Sequence, residues 1–171
     1  GATMTAGNST PLTDGASAVL LASDEWAAAK GLPVLAHLVD AQTAAVDYVH
    51  GGEGLLMAPA YAVPVMLARN GLTLQDFDYY EIHEAFAGAV LASLAGLDSD
   101  DFCRDRLGRD GKVGAIDPAR LNAHGGSLSL GHPFGATGAR LVTTCARRLM
   151  AGGGRYGLVS ACAAGFGSGS G

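Results

Sequence analysis

The sequence predicts an α/β domain in which a sheet is layered between helices. Short apolar runs that suit buried strands alternate along the chain with segments whose apolar residues follow helical spacing. Of the 171 residues, 49% are hydrophobic, 16% are charged and 26 are glycine. This composition is typical of a densely packed chain and argues against disorder. We therefore expect one domain over residues 1–171, long enough to bury a sizeable core.

Two strands and a helix are predicted in the first quarter of the chain. Residues 15–23 lead from small residues into a continuous apolar stretch, which is typical of a buried strand. Ser23 offers a capping hydroxyl to a helix predicted over residues 24–30. Residues 34–39 form a second apolar run and predict a second strand, and the weakly patterned residues 40–58 predict a loop.

Helical spacing and β-rich composition alternate again in the rest of the chain. The predicted elements are a helix over 59–70, a capped turn over 73–76, a strand over 77–83, a helix over 84–97, a helix over 135–151 and a strand over 156–161. Between them, the charged residues 98–120 predict an exposed insertion.

Charge and cysteine content exclude several classes of function. The net charge is −5 and no Lys/Arg cluster occurs, so the sequence lacks the basic surface that binds nucleic acid. The apolar stretches are too short to span a membrane. Cys103, Cys145 and Cys162 are odd in number and widely spaced, which argues against a disulfide framework and a CxxC metal site. A reducing, intracellular compartment is expected.

Three titratable residues stand where loops leave predicted elements. His132 lies in the glycine-rich stretch 122–138, directly before a predicted helix. His83 ends one predicted strand, and Cys162 follows another. Because ligands of open α/β sheets collect at the carboxyl ends of the strands, these three residues are the candidate site.

Motif spacing narrows the chemistry of this site. His83-Glu84 lacks the second histidine of a zinc protease helix, because position 87 is alanine. The glycines around His132 are not followed by the Lys-Ser/Thr of a phosphate loop. Acid–base and oxyanion chemistry remain, since a cysteine can shuttle a proton and imidazoles can donate to an oxyanion.

The motifs together resemble the C-terminal domain of thiolases. They are Asp14-Gly15-Ala16, His83-Glu84-Ala85-Phe86, Gly125-Gly126 through Gly131-His132-Pro133, and Cys162-Ala-Ala-Gly165. Histidine rather than asparagine at 83, with the charged segment 98–120, is most similar to the β-subunit of the trifunctional fatty-acid-oxidation complex and its bacterial relatives. The resemblance implies a mixed five-stranded sheet layered between helices. The linker-like residues 166–171 suggest a fragment without the final strand.

The resemblance also implies an activity, the thiolytic cleavage of 3-ketoacyl-CoA by CoA, or the reverse Claisen condensation, in fatty-acid β-oxidation. His132 would take the proton of a nucleophilic cysteine in an N-terminal domain and donate to the thioester oxygen of the enolate. His83 would be the second donor of that oxyanion hole. Cys162 would protonate the enolate carbon. The backbone N–H of Ala164 would belong to a second oxyanion hole.

Further expectations concern substrates, partners and location. CoA and acyl-CoA would be substrates, and no cofactor is expected to be bound covalently. The resemblance implies an N-terminal thiolase domain, a homodimer or higher oligomer, and a hydratase/dehydrogenase α-subunit as a possible partner. It fits a bacterial cytoplasm or a mitochondrial matrix. Without the N-terminal domain, we expect this chain alone to be inactive.

Two other functions stay open on the sequence alone. One is a condensing enzyme similar to β-ketoacyl synthases, although these usually have a histidine where Cys162 stands. The other is a thiolase-like domain that binds acyl-CoA or lipid without catalysis, against which the presence of His83, His132 and Cys162 argues.

Overall fold

The computed structural model describes residues 3–163, which form an α/β arrangement. The helices are α1 Asp24–Ala29, α2 Ala58–Asn70, α3 Ala87–Leu97, α4 Asp100–Leu107, α5 Ser127–Leu130 and α6 Thr137–Gly152; the strands are β1 Tyr79–Ile82 and β2 Gly157–Ser160. Single 3₁₀ turns cover Ala6–Asn8, Leu74–Asp76 and Pro118–Arg120. The structure confirms the sequence predictions for four helices and two strands, which are α1, α2, α3, α6, β1 and β2. It also confirms the capped turn at Thr73.

A two-stranded parallel sheet lies at the centre, with Tyr79 opposite Gly157 and Ile82 opposite Ser160. Side chains of a strand alternate between the two faces of its sheet. Tyr80 and Ile82 belong to the apolar core shared with α2 and α3, whereas Tyr79 and Glu81 meet Arg148 of α6. The sheet is therefore a middle layer with α6 on one face and the α2–α3 pair on the other.

The core on the α2–α3 face is closed and apolar. Its buried members are Met57, Ala60, Val63, Leu67, Leu74, Phe77, Tyr80, Leu97, Ile116 and Leu158. On the other face, Leu141 and Cys145 of α6 are buried, as the helical spacing predicts. Burying apolar area of this kind is the main stabilising term in a domain of this size.

An ion pair is buried between α6 and the sheet. Arg148 Nη1 lies 2.5 Å from Glu81 Oε1, and the two side chains are 5% and 0% exposed. The guanidinium also contacts the face of the Tyr79 ring, 4.3 Å from its centroid. The sequence analysis missed this pair, because cations near the end of a helix are usually explained by the helix dipole and by solvent.

Close approach of α6 to β2 requires a residue without a side chain at position 157. A Cβ atom on Gly157 would collide with Sγ of Cys145. Burial raises the pKa of the Cys145 thiol to about 11, so this sulfur is a protonated core group rather than a nucleophile.

Two predicted strands are absent from the described residues, and the expected five-stranded sheet is not confirmed. Residues 15–23 and 34–39 form no strand, and the described sheet has two strands where five were expected. Val19, Leu20 and Leu38 are instead exposed. An apolar run becomes a strand only when a neighbour satisfies its backbone groups, and none of the described residues pairs with these two segments. The expected missing last strand and residues 166–171 lie outside the described range.

The charged segment 98–120 is largely exposed, but it also contributes a helix and two buried residues. It contains α4, which Ser99 caps by accepting a hydrogen bond from the Phe102 backbone N–H. Cys103 is fully buried, and Ile116 belongs to the core. Its acidic and basic residues pair with one another at the surface, so the apolar face of a short amphipathic helix was hidden among charges.

Candidate functional site

Parallel pairing brings the ends of β1 and β2 to one edge of the sheet. His83 follows β1 directly, and its backbone N–H donates to Ser160 O at 2.8 Å, which extends the pairing by one residue. Cys162 follows β2 by two residues. Both residues line a small cavity of about 30 Å³ with Val90 and Leu94 of α3. Two of the three predicted site residues therefore line the same cavity.

The glycine-rich stretch is fastened to this edge by Asn122. Its backbone has a left-handed φ of 45°, a conformation that asparagine tolerates better than most residues. Its side-chain oxygen accepts from the Ile82 N–H and its amide donates to Ile82 O, both at 2.8 Å. The asparagine amide thereby acts as one more peptide group beside β1.

Glu84 makes the second set of hydrogen bonds that hold the glycine-rich stretch to this edge of the sheet. One carboxylate oxygen accepts from the Asn122 amide at 2.8 Å, and the other accepts from the Leu128 backbone N–H at 3.0 Å. A Cβ atom on Gly126 would collide with this carboxylate. The turn after β1 and the loop before α5 are thus held together by one side chain.

His132 and His83 meet at this junction. Their ring centroids are 4.1 Å apart at an interplanar angle of 40°. The His132 backbone N–H donates to Pro11 O at 3.0 Å, and the Phe134 ring contacts the imidazole edge-on at 4.7 Å. The structure therefore brings together the two histidines that the sequence analysis singled out.

A hydroxyl contacts one ring nitrogen of His132. Nδ1 of His132 lies 2.6 Å from Oγ1 of Thr137. When the Thr137 hydroxyl donates to Pro133 O, which lies 3.2 Å away, it accepts a hydrogen bond from Nδ1–H of the imidazole. In this arrangement the proton of neutral His132 lies on Nδ1, and Nε2 is the acceptor nitrogen.

Both imidazoles are held neutral near pH 7. Burial is the main cause that lowers the pKa of His83 to about 4, and repulsion from a protonated His132 and from the Arg140 guanidinium adds to it. Burial and the nearby Arg140 guanidinium also lower the pKa of His132. A neutral imidazole has one donor and one acceptor nitrogen, so each ring nitrogen can play only one of these two roles at a time.

Cys162 is held as a thiol. Burial raises its pKa, and hydrogen bonds from backbone N–H groups, including that of Ala85, only partly oppose this. A protonated thiol that lines the cavity is a proton donor at neutral pH. The cavity lining includes Cys162 and His83 but not His132.

An open groove of about 400 Å³ lies next to the His132 loop. Its walls are residues 13–17 and 133–136, so the Asp-Gly-Ala motif and the residues after His132 face each other across it. The groove is open to solvent and begins at Pro133, the residue that follows His132.

Sequence reasoning missed the residues that support the site, which are Glu84, Asn122, Ser127, Thr137 and Arg140. Glu84 could have been suspected because it directly follows His83, and Thr137 because it lies one helical turn beyond His132 and Pro133. Ser127 and Arg140 give no signal in sequence spacing, since a loop and a helix bring them together. Ala164 lies outside the described residues. Within residues 3–163, no group of three or more His, Cys, Asp or Glu residues is placed to hold a metal ion.

The family model described as "Thiolase, C-terminal domain" matches residues 32–171. The chain belongs to the thiolase C-terminal domain family. It is 51% identical over 163 residues to a "Probable 3-ketoacyl-CoA thiolase" of Caenorhabditis elegans, covering 95% of this chain and 36% of that protein. It is 52% identical to "Trifunctional enzyme subunit beta, mitochondrial" of Bos taurus, covering 95% of this chain and 34% of the relative.

The fold agrees with this family. The crystal structure of the dimeric peroxisomal thiolase of Saccharomyces cerevisiae matches with a TM-score of 0.68 and 39% identity, over 92% of this chain and 35% of that one. The thiolase domain described here thus spans about a third of the length of the relatives it matches. No helix within residues 3–163 is both long enough and apolar enough to cross a membrane.

Proposed function

We propose that this chain supplies the oxyanion hole and the proton donor of a 3-ketoacyl-CoA thiolase that acts in fatty-acid β-oxidation. The observation that carries the proposal is the pair of neutral imidazoles, 4.1 Å apart, at the sheet edge where Cys162 also lies. The names of the worm and bovine relatives support the same chemistry. Three groups with separate proton roles meet there, which is what a carbon–carbon cleavage through an enolate requires.

His132 is the base in this proposal. Its Nε2 carries a free lone pair, because Nδ1–H is engaged by Thr137. Nε2 takes the proton of a nucleophilic thiol that another part of the full-length enzyme supplies, and the resulting thiolate attacks the ketone of 3-ketoacyl-CoA. The protonated Nε2 then donates to the thioester oxygen of the departing enolate.

His83 is the second donor to that enolate oxygen. Its low pKa keeps it uncharged, so it stabilises the oxyanion by donating a hydrogen bond and not by acting as a cation. Removing one donor of an oxyanion hole typically costs about 100- to 1,000-fold in kcat.

Cys162 transfers its proton to the enolate carbon, which releases acetyl-CoA and leaves the shortened acyl group on the nucleophile. A second CoA thiol then takes that acyl group. The raised pKa of Cys162 suits a donor to carbon, since the thiol stays protonated at pH 7. The open groove beside His132 has room for the pantetheine-like arm of a CoA thioester.

The full-length protein is further proposed to work as an oligomer. The yeast thiolase is described as dimeric and the bovine relative as a subunit of a trifunctional enzyme. A homodimer that associates with a hydratase/dehydrogenase α-subunit would fit both descriptions. A mitochondrial location, as for the bovine relative, and a bacterial cytoplasm both suit this function.

The assignment of Cys162 is tested by Cys162→Ser in the full-length enzyme. Condensation of acetyl-CoA should be lost almost completely, because a serine hydroxyl is too weak an acid–base at carbon. Acyl-enzyme formation, followed by intact-protein mass spectrometry, should persist in part. Cys145→Ser is the matched control, since Cys145 is a core thiol and should leave the ratio of the two steps unchanged. Equal loss of both steps in Cys162→Ser would contradict the role.

A further inference from the structure

We propose that Ser127 and Arg140 are positioning residues that fix the proton of His83 on Nε2, so that this ring can only donate toward the enolate. Neither residue touches the cavity that His83 shares with Cys162. They act behind the ring, on the nitrogen that faces away from the substrate. The catalytic consequence rests on the function proposed above, whereas the location of the proton does not.

The argument begins with the hydroxyl of Ser127. Ser127 is fully buried, and its Oγ lies 2.9 Å from Nδ1 of His83. The same oxygen accepts a hydrogen bond from Arg140 Nη2 at 3.0 Å. Guanidinium groups only donate, so this contact cannot receive the hydroxyl proton.

The hydroxyl proton of Ser127 then has one acceptor. Within residues 3–163, the only other partner of this hydroxyl is Nδ1 of His83. The hydroxyl therefore donates to Nδ1, which must be unprotonated, and the proton of the neutral ring sits on Nε2. His132, with its proton on Nδ1, has the opposite tautomer. The two rings are thus a donor and an acceptor before any substrate arrives.

The position of the Arg140 guanidinium has little explanation other than this hydrogen bond to Ser127. Its Nε and Nη1 atoms are buried without a hydrogen-bond partner among the described residues, and no carboxylate pairs with it there. A buried cation without a carboxylate is costly for stability. Its charge does, however, disfavour protonation of both histidines. The groups that face His83 are His132, Arg140, Glu84 and the Cys162 thiol, and only Glu84 favours the imidazolium.

The direct test is the tautomer itself, read by ¹⁵N NMR of the full-length enzyme labelled at histidine and assigned with His83→Asn. The unmodified enzyme should show His83 with an unprotonated Nδ1 and a protonated Nε2 at pH 7. Ser127→Ala should shift the signals toward a mixture of tautomers, and Ser127→Thr should restore them. A protonated Nδ1 in the unmodified enzyme would overturn the proposal without the need for any variant.

Kinetics separate positioning from a merely structural role. Ser127→Ala should lower kcat about tenfold while KM changes less than twofold, because the ring stays in place and only its proton is released. Ser127→Thr should recover most of this loss. Ser129→Ala is the matched control, since among residues 3–163 the Ser129 hydroxyl donates only to Gly126 O, directly before α5. A loss in Ser127→Ala that Ser127→Thr does not recover would overturn the positioning role.

Arg140→Gln adds a pH readout. The acid limb of the kcat profile should move to higher pH, because the imidazoles lose the charge that disfavours their protonation; an unmoved limb would contradict the role of Arg140. The same experiments distinguish failure of the proposed thiolase function from failure of the positioning role. If the tautomer is as expected but His83→Asn keeps full activity, positioning is upheld and the oxyanion role of His83 is lost.

Discussion

Two regions of the chain contain the same apolar residue types, but one region buries their side chains and the other exposes them. In residues 57–163, Leu74 and Leu141 are fully buried, whereas in residues 10–49 Leu20 is 70% exposed and Leu38 is 76% exposed. Both regions contain apolar runs of similar length. The difference is that the later region contains two segments that pair as parallel strands, with helices to cover both faces.

The comparison teaches that burial in this domain depends on pairing more than on local hydrophobicity. The early region is held to the rest of the described chain at a few points. Asp40 forms an ion pair with Arg69 of α2 at 2.7 Å, and two backbone hydrogen bonds lie at the site. Thr10 N–H donates to Ala85 O, and His132 N–H donates to Pro11 O. Residues 10–17 thus wrap the two histidine-bearing turns without adding to the core.

The largest expected effect comes from breaking the buried ion pair of the later region. Arg148→Ala leaves the Glu81 carboxylate buried without its partner and should lower the free energy of unfolding by about 3–5 kcal/mol. Urea denaturation followed by circular dichroism measures this. The double variant Glu81→Gln/Arg148→Met should recover most of the loss. A loss below about 1 kcal/mol in Arg148→Ala would mean that the pair is solvated.

A matched pair of leucine truncations tests the comparison most directly. Leu141→Ala creates a cavity against the sheet and should cost about 3 kcal/mol. Leu20→Ala removes the same atoms from an exposed side chain and should change stability by less than about 0.5 kcal/mol. Urea midpoints of the two variants, measured side by side, provide the test. Equal losses would show that residues 10–49 are buried in solution.

The smallest effect is a dependence on pH that comes from His83. Its folded pKa of about 4 lies below the unfolded value of 6.5, so the unfolded chain binds more protons between these values. The stability that neutral His83 contributes is complete above pH 6.5 and falls as the pH drops toward 4. Between pH 7 and pH 5 the loss is about 2 kcal/mol. His83→Asn should show a correspondingly shallower acid dependence in urea midpoints; an identical dependence would contradict the buried neutral ring.

Most of the later region could be predicted from sequence because its signals are local. Helical spacing located α2, α3 and α6, and the β-rich residues 77–83 contain a real strand. His83 and Cys162 were singled out because residues at the ends of parallel strands converge, and His132 because it lies on a glycine-rich loop before a helix. Residues 15–23 were mistaken for a strand because a sequence does not reveal whether a partner for that strand exists.

The supporting groups of the site could not be predicted for a related reason. Arg140 and Ser127 meet only after α6 packs onto the sheet, and Glu81 meets Arg148 across the same interface. Neither contact has a fixed spacing in sequence. Such pairs depend on how two elements are docked, which local patterns do not encode.

The carboxylate of Glu84 fills the space where a side chain at Gly126 would lie. Substitutions at these two distant positions should therefore be coupled in evolution. In a mutational scan, alanine at 126 should be rejected in this background. It should become acceptable only where position 84 has a shorter acid, such as aspartate. Alignments of related sequences should then show 84 and 126 changing together or not at all, although 42 positions separate them.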